Sequence, residues 1–356
     1  MRNKIDLKNL TFAQLTEQVE ALGIPPARAR HIFSWLYRPG LSEFARMKDI
    51  KQEIRELLAA HCFISRLTPS AVERSTDGTV KFLFKLADGA MVESVLIPEE
   101  GRHTLCVSSQ AGCAMGCKFC LTGALGLERN LQPAEIVGQV MAALDYLLAA
   151  GVERATHKQL VNNLVFMGMG EPLANYDNLL AALNILMDER GLEFTGRRVT
   201  VSTCGLVPRI IDLGRDTKVN LAVSLHAADD DTRSRLMPVN RRHGLDGLLG
   251  ACRAFPLGKK KVILIEYILI KGINDSSADA RLLAEKLQGI ACRINLLPYN
   301  ESAALDYQCP AEETILRFQK VLREAGFTTL IRQSRGADIG AACGQLAGAT
   351  PSNKEH

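Results

Sequence analysis

The chain has 356 residues, 47% of them apolar, with 43 basic against 39 acidic side chains and a formal net charge of +4. This is enough apolar material for one large domain or two, and the mild basic balance permits an anionic partner without demanding one. Ten cysteines scattered over such a length exclude a small secreted disulfide framework, and no long uncharged apolar run suggests a membrane span.

The opening Met1-Arg-Asn-Lys-Ile-Asp6 leads into a mixed helix rather than an apolar signal segment, so a reducing cytoplasm is the expected setting. Residues 1–65 read as a small helical domain of a type that binds RNA. Thr11 caps a helix from Phe12 that stops at Gly23, and Pro25-Pro26 opens a second that stops at Pro39-Gly40. Within the second, Ile32, Trp35 and Leu36 have the spacing of one buried face. A third helix is expected from about Lys48 to Ala60. Arg28, Arg30, Arg38, Arg46, Lys48, Lys51 and Arg55 lie in or between these helices, as a solvated face or as a grip on phosphates.

Residues 66–100 change to period two. Three strand-like runs are separated by Asp77-Gly78 and Asp88-Gly89, strong hairpin signals, so an antiparallel meander is expected. Glu93 falls in its last strand and reads, by itself, as a solvent-facing residue.

Residues 101–346 alternate strand-like and helical runs. Strands are expected at 103–109, 160–167, 198–203, 218–225, 261–270 and 292–298, with amphipathic stretches such as Pro133–Ala150, Tyr176–Arg190, Ser276–Gln288 and Pro310–Ala325 between or after them. Six βα units imply an α/β fold with a parallel sheet, too short for a complete eight-unit barrel, hence an open partial barrel. A last strand-like run at Thr328–Ile331 precedes a glycine-bearing loop, and residues 347–356 are expected to be a disordered tail.

Unusual residues gather where strands should end, which is where such folds collect their chemistry. After the first strand, Cys113, Cys117 and Cys120 follow a C-x3-C-x2-C spacing, with Gly112 and Gly116 beside the first two. Clustered thiolates favour zinc or iron–sulfur. No second short Cys or His pair supplies the fourth ligand of a structural zinc site. Three ligands suit a 4Fe-4S cluster with one open iron. Gly168-Met-Gly170-Glu171-Pro172 follows the second strand and suits a ligand amine, though such a pattern is more often an ordinary turn. Ser202 ends the third strand, Ser224-Leu225-His226 the fourth, and Asn300 follows the sixth. Cys106 lies seven residues before Cys113 and should neighbour the same site. Cys343, among small residues in the last loop, has the setting of a reactive thiol. Cys62, Cys204, Cys252, Cys292 and Cys309 read as packing or surface cysteines. Arg233, Arg235, Arg241, Arg242 and His243, with Lys259-Lys260-Lys261, form either an RNA-facing rim or a solvated face.

The three-cysteine spacing resembles the signature of the radical S-adenosylmethionine (SAM) superfamily. The stretch Val107-Ser-Ser-Gln-Ala-Gly-Cys113, the helix Arg30-His-Ile-Phe-Ser-Trp-Leu-Tyr37 and the ending Arg335-Gly-Ala-Asp-Ile-Gly-Ala-Ala-Cys343-Gly-Gln-Leu346 are similar to the bacterial RlmN family of dual-specificity RNA adenine-C2 methyltransferases. The likeness runs over nearly the whole chain. It implies a partial (β/α)6 radical-SAM barrel. Cys113, Cys117 and Cys120 would hold a 4Fe-4S cluster, and Gly170, Glu171, Ser202, Ser224, Leu225, His226 and Asn300 would line the SAM pocket. Cys343 would carry a methyl group, Cys106 would be its partner, and Glu93 stands where the family has a proton acceptor.

The chemistry accounts for two working cysteines. Adenine C2 is electron-poor and resists direct methyl displacement, whereas a carbon radical can add to it. The resemblance implies that one SAM methylates Cys343 and that a second, cleaved reductively at the cluster, yields the radical that activates this methyl group. An adduct with RNA would form, and Cys106 would take the C2 proton and release the product through a transient disulfide. Implied partners are 23S rRNA and tRNA presenting an unstacked adenosine, and a flavodoxin-type electron donor; a monomer is expected. The competing readings are C8 methylation, as in the related Cfr enzymes, another radical SAM reaction, and a zinc-stabilised RNA-binding protein.

Overall fold

The computed structural model describes residues 4–152, 160–259 and 261–348. Lys260 and, from residue 349 on, the expected tail lie outside the described residues.

The amino-terminal module opens on β1 (Ile5–Asp6) and contains helices α1 (Phe12–Ala21), α2 (Ala29–Leu36) and α3 (Gln52–His61), before β2 (Cys62–Phe63). β1 and β2 pair in parallel and clasp the two ends of the module together, a pairing the sequence did not suggest. Thr11 and Gln14 form a reciprocal capping box at the start of α1. Ile32 and Leu36 are fully buried, and Trp35, half-buried, packs against the same core. Its indole donates to Asp49 and the Arg38 guanidinium stacks on the ring at 3.6 Å. Asp145 ties the module to the rest of the chain, accepting from the Gly40 amide at 2.9 Å and pairing with Arg66 at 3.1 Å.

One ten-stranded sheet forms the body. Its antiparallel part is β3 (Pro69–Arg74), β4 (Val80–Lys85) and β5 (Met91–Glu99), the expected meander. β5 then pairs antiparallel with β6 (Arg102–Cys106). From β6 onward the sheet is parallel, continuing through β9 (Asn163–Phe166), β10 (Val199–Thr203), β11 (Asn220–Ser224), β12 (Ile263–Leu269), β13 (Cys292–Pro298) and β14 (Thr329–Ile331). β7 (Gln110–Gly112) and β8 (Leu127–Asn130) form a separate antiparallel ribbon. The first barrel strand is therefore shorter than the expected 103–109. It ends at Cys106, and the chain then turns into the ribbon that precedes the cysteine loop. β14 adds a short seventh parallel strand to the six units expected.

The helices are α4 (Leu121–Leu125), α5 (Pro133–Ala149), α6 (Tyr176–Met187), α7 (Val207–Asp216), α8 (Asp230–Leu236), α9 (Leu245–Ala254), α10 (Ser277–Lys286) and α11 (Glu312–Glu324). All five residues of β10 are buried, as expected for a parallel strand covered on both faces. The architecture is an open partial barrel, with β3 and β14 as its free edges. Among the described residues no helix is long and apolar enough to cross a membrane.

Two sequence expectations are overturned here. Glu93 does not face solvent; it is 2% exposed, because β5 is covered by the carboxyl-terminal loop. Arg233 is not part of a basic rim; it is fully buried beneath the loops that end β10 and β11.

Candidate active site

The polar residues just after β6 explain how the strand ends are locked. The Ser108 amide donates to Gln139 of α5 at 2.8 Å, and Gln139 returns a bond to the Ser108 carbonyl at 2.9 Å. The Ser108 hydroxyl donates to the Glu93 carbonyl and accepts from the Met169 amide. Gln110 accepts from the Glu171 amide at 2.8 Å. Gly170 has φ +98°, and a Cβ there would lie 2.5 Å from that of Gln110, so only glycine lets the two strand ends approach.

Cys113, Cys117 and Cys120 stand in the loop between the ribbon strand β7 and α4, and all three thiols are free. Phe119, Leu236, Met237, Ile268 and Tyr299 form an apolar cluster against which Cys117 and Cys120 pack. Burial pushes the Cys113 thiol up to about 11, with Glu171 and Cys120 adding to it. Burial raises Cys117 as well, and Cys120 and Cys113 add to that. Thiols that raise one another in this way ionise poorly by themselves and suit a positively charged iron centre, to which they bind as thiolates. Among the described residues no three His, Cys, Asp or Glu side chains close around one point as a single metal ion requires. A four-iron cluster spreads its thiolates over separate irons and makes no such demand. Three soft thiolate donors, each able to take a separate iron, fit such a cluster.

Glu171 is buried, accepting from the Leu173 amide at 3.0 Å and the Cys204 amide at 2.7 Å. Burial raises its carboxyl above the ordinary range. Among the described residues no lysine or arginine pairs with it, and a carboxylate has about four acceptor positions, so it fits a ligand's ammonium group. Ser202, in β10, and Leu225, just after β11, are buried, and Ser224 is half-buried. His226 has φ +60°, stacks edge-on to Phe119 at 4.9 Å and accepts at Nδ1 from the Ile268 amide at 3.1 Å. Burial and the Arg233 charge lower it to about 3, so the ring is neutral. The hydroxyls of Ser109 and Tyr299 are buried without a partner, as expected where a polar ligand binds.

Cys343 stands in the loop after β14, exposed at the barrel mouth. The atoms crowded around its thiol still push it up to about 11, with Glu266 and Cys120 adding to it. Cys106, at the end of β6, is raised by burial and then by the charge of Cys343, so the two thiols lie within electrostatic reach of each other. Asn300 donates from Nδ2 to the Cys343 carbonyl at 3.2 Å and accepts from Ser334, so it holds this loop. The Glu93 backbone meets the strand-end residues, its amide on the Met169 sulfur and its carbonyl on Ser108, while its side chain lies beneath the Cys343 loop.

Sequence reasoning missed four residues here. Cys204 lies beside the cluster cysteines, its amide on Glu171 and its carbonyl on Arg233. Arg233 also donates to Leu225, Ser224 and Asn240. Glu266 and Asn295 are cross-strand neighbours, joined at 2.8 Å and both buried. The last pair had a signal, a polar residue interrupting each apolar strand; Arg233, in a run of charges, had none.

A cysteine-bearing loop at the mouth of an open parallel barrel places the protein in the radical SAM class, and residues 107–283 match the family model described as the Radical SAM superfamily. Residues 5–64 match the model described as the ribosomal RNA large subunit methyltransferase N-terminal domain. The chain is 55% identical to the dual-specificity RNA methyltransferase RlmN of Desulfotalea psychrophila over 97% of its own length and 96% of the relative's. With that of Geobacter sulfurreducens it shares 51% identity over 98% and 93%. The crystal structure of a radical SAM methyltransferase from Sphaerobacter thermophilus superposes with a TM-score of 0.89 at 44% identity, covering 97% of this chain and all of that one. The chain belongs to the RlmN family. A 4Fe-4S cluster and SAM are the cofactors of this class.

Proposed function

We infer that the protein methylates C2 of an adenosine in 23S rRNA and in tRNA. The observation that carries this reading is that Cys343 lies within electrostatic reach of both Cys106 and Cys120, in a chain alike to RlmN enzymes from end to end. When bound, the cluster and SAM supply the methyl group and the one-electron chemistry that an electron-poor ring carbon requires. Cys113, Cys117 and Cys120 would hold the cluster, and Glu171, with Gly170, Ser202, Ser224, Leu225, His226 and Asn300 around it, would hold SAM. The neutral His226 ring adds no positive charge to repel the SAM cation.

The Cys343 sulfur carries the methyl group to the base. Cys106 removes the C2 proton, the unpaired electron of the adduct being one that the cluster's one-electron chemistry would take up; the Cys106 sulfur then gives up that proton and attacks the Cys343 sulfur. That attack breaks the sulfur–carbon bond, forms a disulfide and leaves the electron pair on the departing methylene, which takes up a proton to become the product methyl group. Burial of Cys106 keeps water away from this step. The amino-terminal helical domain (1–65), the meander connector (66–100) and the barrel with its cysteine loop (101–346) divide the labour between RNA grip and chemistry. A cytoplasmic monomer reduced by a flavodoxin-type donor fits the mildly basic charge and the free cysteines.

The test is mass spectrometry of nucleosides from ribosomal and transfer RNA of cells with and without the gene. Loss of 2-methyladenosine on deletion is expected; 8-methyladenosine alone would mean the Cfr-type reaction instead.

A further inference from the structure

The reaction as assigned makes no use of a buried charge pair on the meander. Glu73, Lys81 and Glu93 form a row across β3, β4 and β5. Lys81 lies directly opposite Glu73, while Glu93 faces Leu83, one step further along the same side. The Lys81 ammonium is 3.1 Å from Glu73 and 3.4 Å from Glu93, and it donates to the Ile339 carbonyl at 2.6 Å. Glu93 uses one carboxylate oxygen for Lys81. Its other oxygen accepts from the Ala347 amide at 2.9 Å and the Gly348 amide at 3.1 Å.

Ile339 comes four residues before Cys343 and Ala347 four after it. The row therefore grips the cysteine loop on both sides of the thiol. A second set of bonds fixes the loop's start to the first hairpin. Asp77 accepts from the Gly336 amide at 3.0 Å, and Asp338 accepts from the Ser75 hydroxyl at 2.6 Å and the Thr76 amide at 3.1 Å. Both oxygens of Glu93 are thus committed to loop amides and an ammonium, in a side chain almost out of contact with solvent.

We propose that Lys81 and Glu93 are a clamp that sets where the Cys343 thiol stands, making Glu93 a positioning residue for methyl transfer and not a proton acceptor. This rests on Cys343 being the working thiol. The meander is thereby the bed on which the carboxyl-terminal loop lies.

The test compares cluster-loaded wild type with Glu93→Ala, Glu93→Gln and Lys81→Met. Amide hydrogen exchange of the 336–348 segment and alkylation of Cys343, read by mass spectrometry, report the loop directly. Product formation is measured alongside. In Glu93→Ala, exchange of this segment should speed up about tenfold or more, the scale of losing charge-assisted bonds, with faster alkylation and lower product. Lys81→Met should move all three in the same direction. Glu93→Gln keeps an acceptor oxygen for the two amides, so it should restore most of the product and protection; it also carries the test if Glu93→Ala does not fold. A proton acceptor behaves in the opposite way: product would vanish in Glu93→Gln while the loop stayed as protected as in wild type, and that result overturns the clamp. If the protein modifies some other base, the exchange and alkylation results still stand, so the two readings fail separately.

Discussion

The parallel and antiparallel halves of the one sheet serve the site differently. In the parallel half each strand end delivers residues in short sequence: Glu171 after β9, Ser202 in β10, His226 after β11, Asn300 after β13. These side chains sit where a backbone direction puts them. The antiparallel half meets the strand ends through backbone, the Glu93 carbonyl on Ser108 and its amide on Met169. It works through partners more than two hundred residues away, holding the loop that carries Cys343. The parallel half gathers ligands, and the meander positions a thiol.

The largest expected effect lies where the two halves meet. Cys343→Ala removes the methyl carrier and should yield no methylated adenosine in a nucleoside assay; full product would end the assignment. Cys106→Ala should stop the reaction one step later and leave protein covalently attached to RNA on a denaturing gel. Absence of any adduct under turnover would count against Cys106 as the releasing residue.

Next comes the floor of the parallel half. Arg233 is a buried guanidinium that joins the carbonyls of Cys204, Ser224 and Leu225 and the side chain of Asn240. Arg233→Met should cost about 3 kcal/mol or more in urea denaturation, because several buried acceptors lose their donor at once. A loss below about 1 kcal/mol would mean that the strand-end loops hold without it, and the contrast between the halves would weaken.

Much of this molecule was legible in its sequence, and what escaped shares a cause. Period, hairpin glycines and strand-end residues are local signals, and they give the meander, the six βα units and the positions of Cys113, Cys117 and Cys120. Glu93 looked solvent-facing because alternation in a strand says nothing about a loop from the far end of the chain lying over it. Arg233 looked like one more surface charge because its neighbours Asp230, Asp231 and Arg235 are polar. Burial of a charge depends on acceptors contributed by other segments, and no window of sequence holds them. Cys204 reads as a packing cysteine and is one, yet its backbone joins Glu171 to Arg233.

A smaller effect tests whether the parallel half keeps strain of its own. Glu266 is buried beside Asn295, and burial raises its carboxyl from an ordinary 4.5 to about 6. The native state binds this proton more tightly than the unfolded chain does. Stability should therefore fall as pH rises from about 4.5 to about 6 and stay lower above that. Glu266→Gln is neutral throughout and can still accept from Asn295. It should gain about 2 kcal/mol over wild type at pH 7.5 and little at pH 4, by urea denaturation. An equal gain at both values would show that charge is not the cause.

The smallest effect concerns the other side of the Cys343 loop. Against the meander's charged grip, α4 offers neutral bonds: the Leu121 amide donates to the Gly344 carbonyl at 2.8 Å and the Thr122 hydroxyl to the Leu346 carbonyl. Thr122→Val keeps the side-chain volume and deletes one of these, a change worth about 1 kcal/mol. Charge-assisted bonds are roughly twice as strong as neutral ones. Hydrogen exchange of the 336–348 segment should then quicken only a few-fold in Thr122→Val, clearly less than in Glu93→Ala. If the threonine variant loosened the loop as much as the glutamate variant, the thiol would be held from the cluster side, and the meander would be a support for the sheet edge alone.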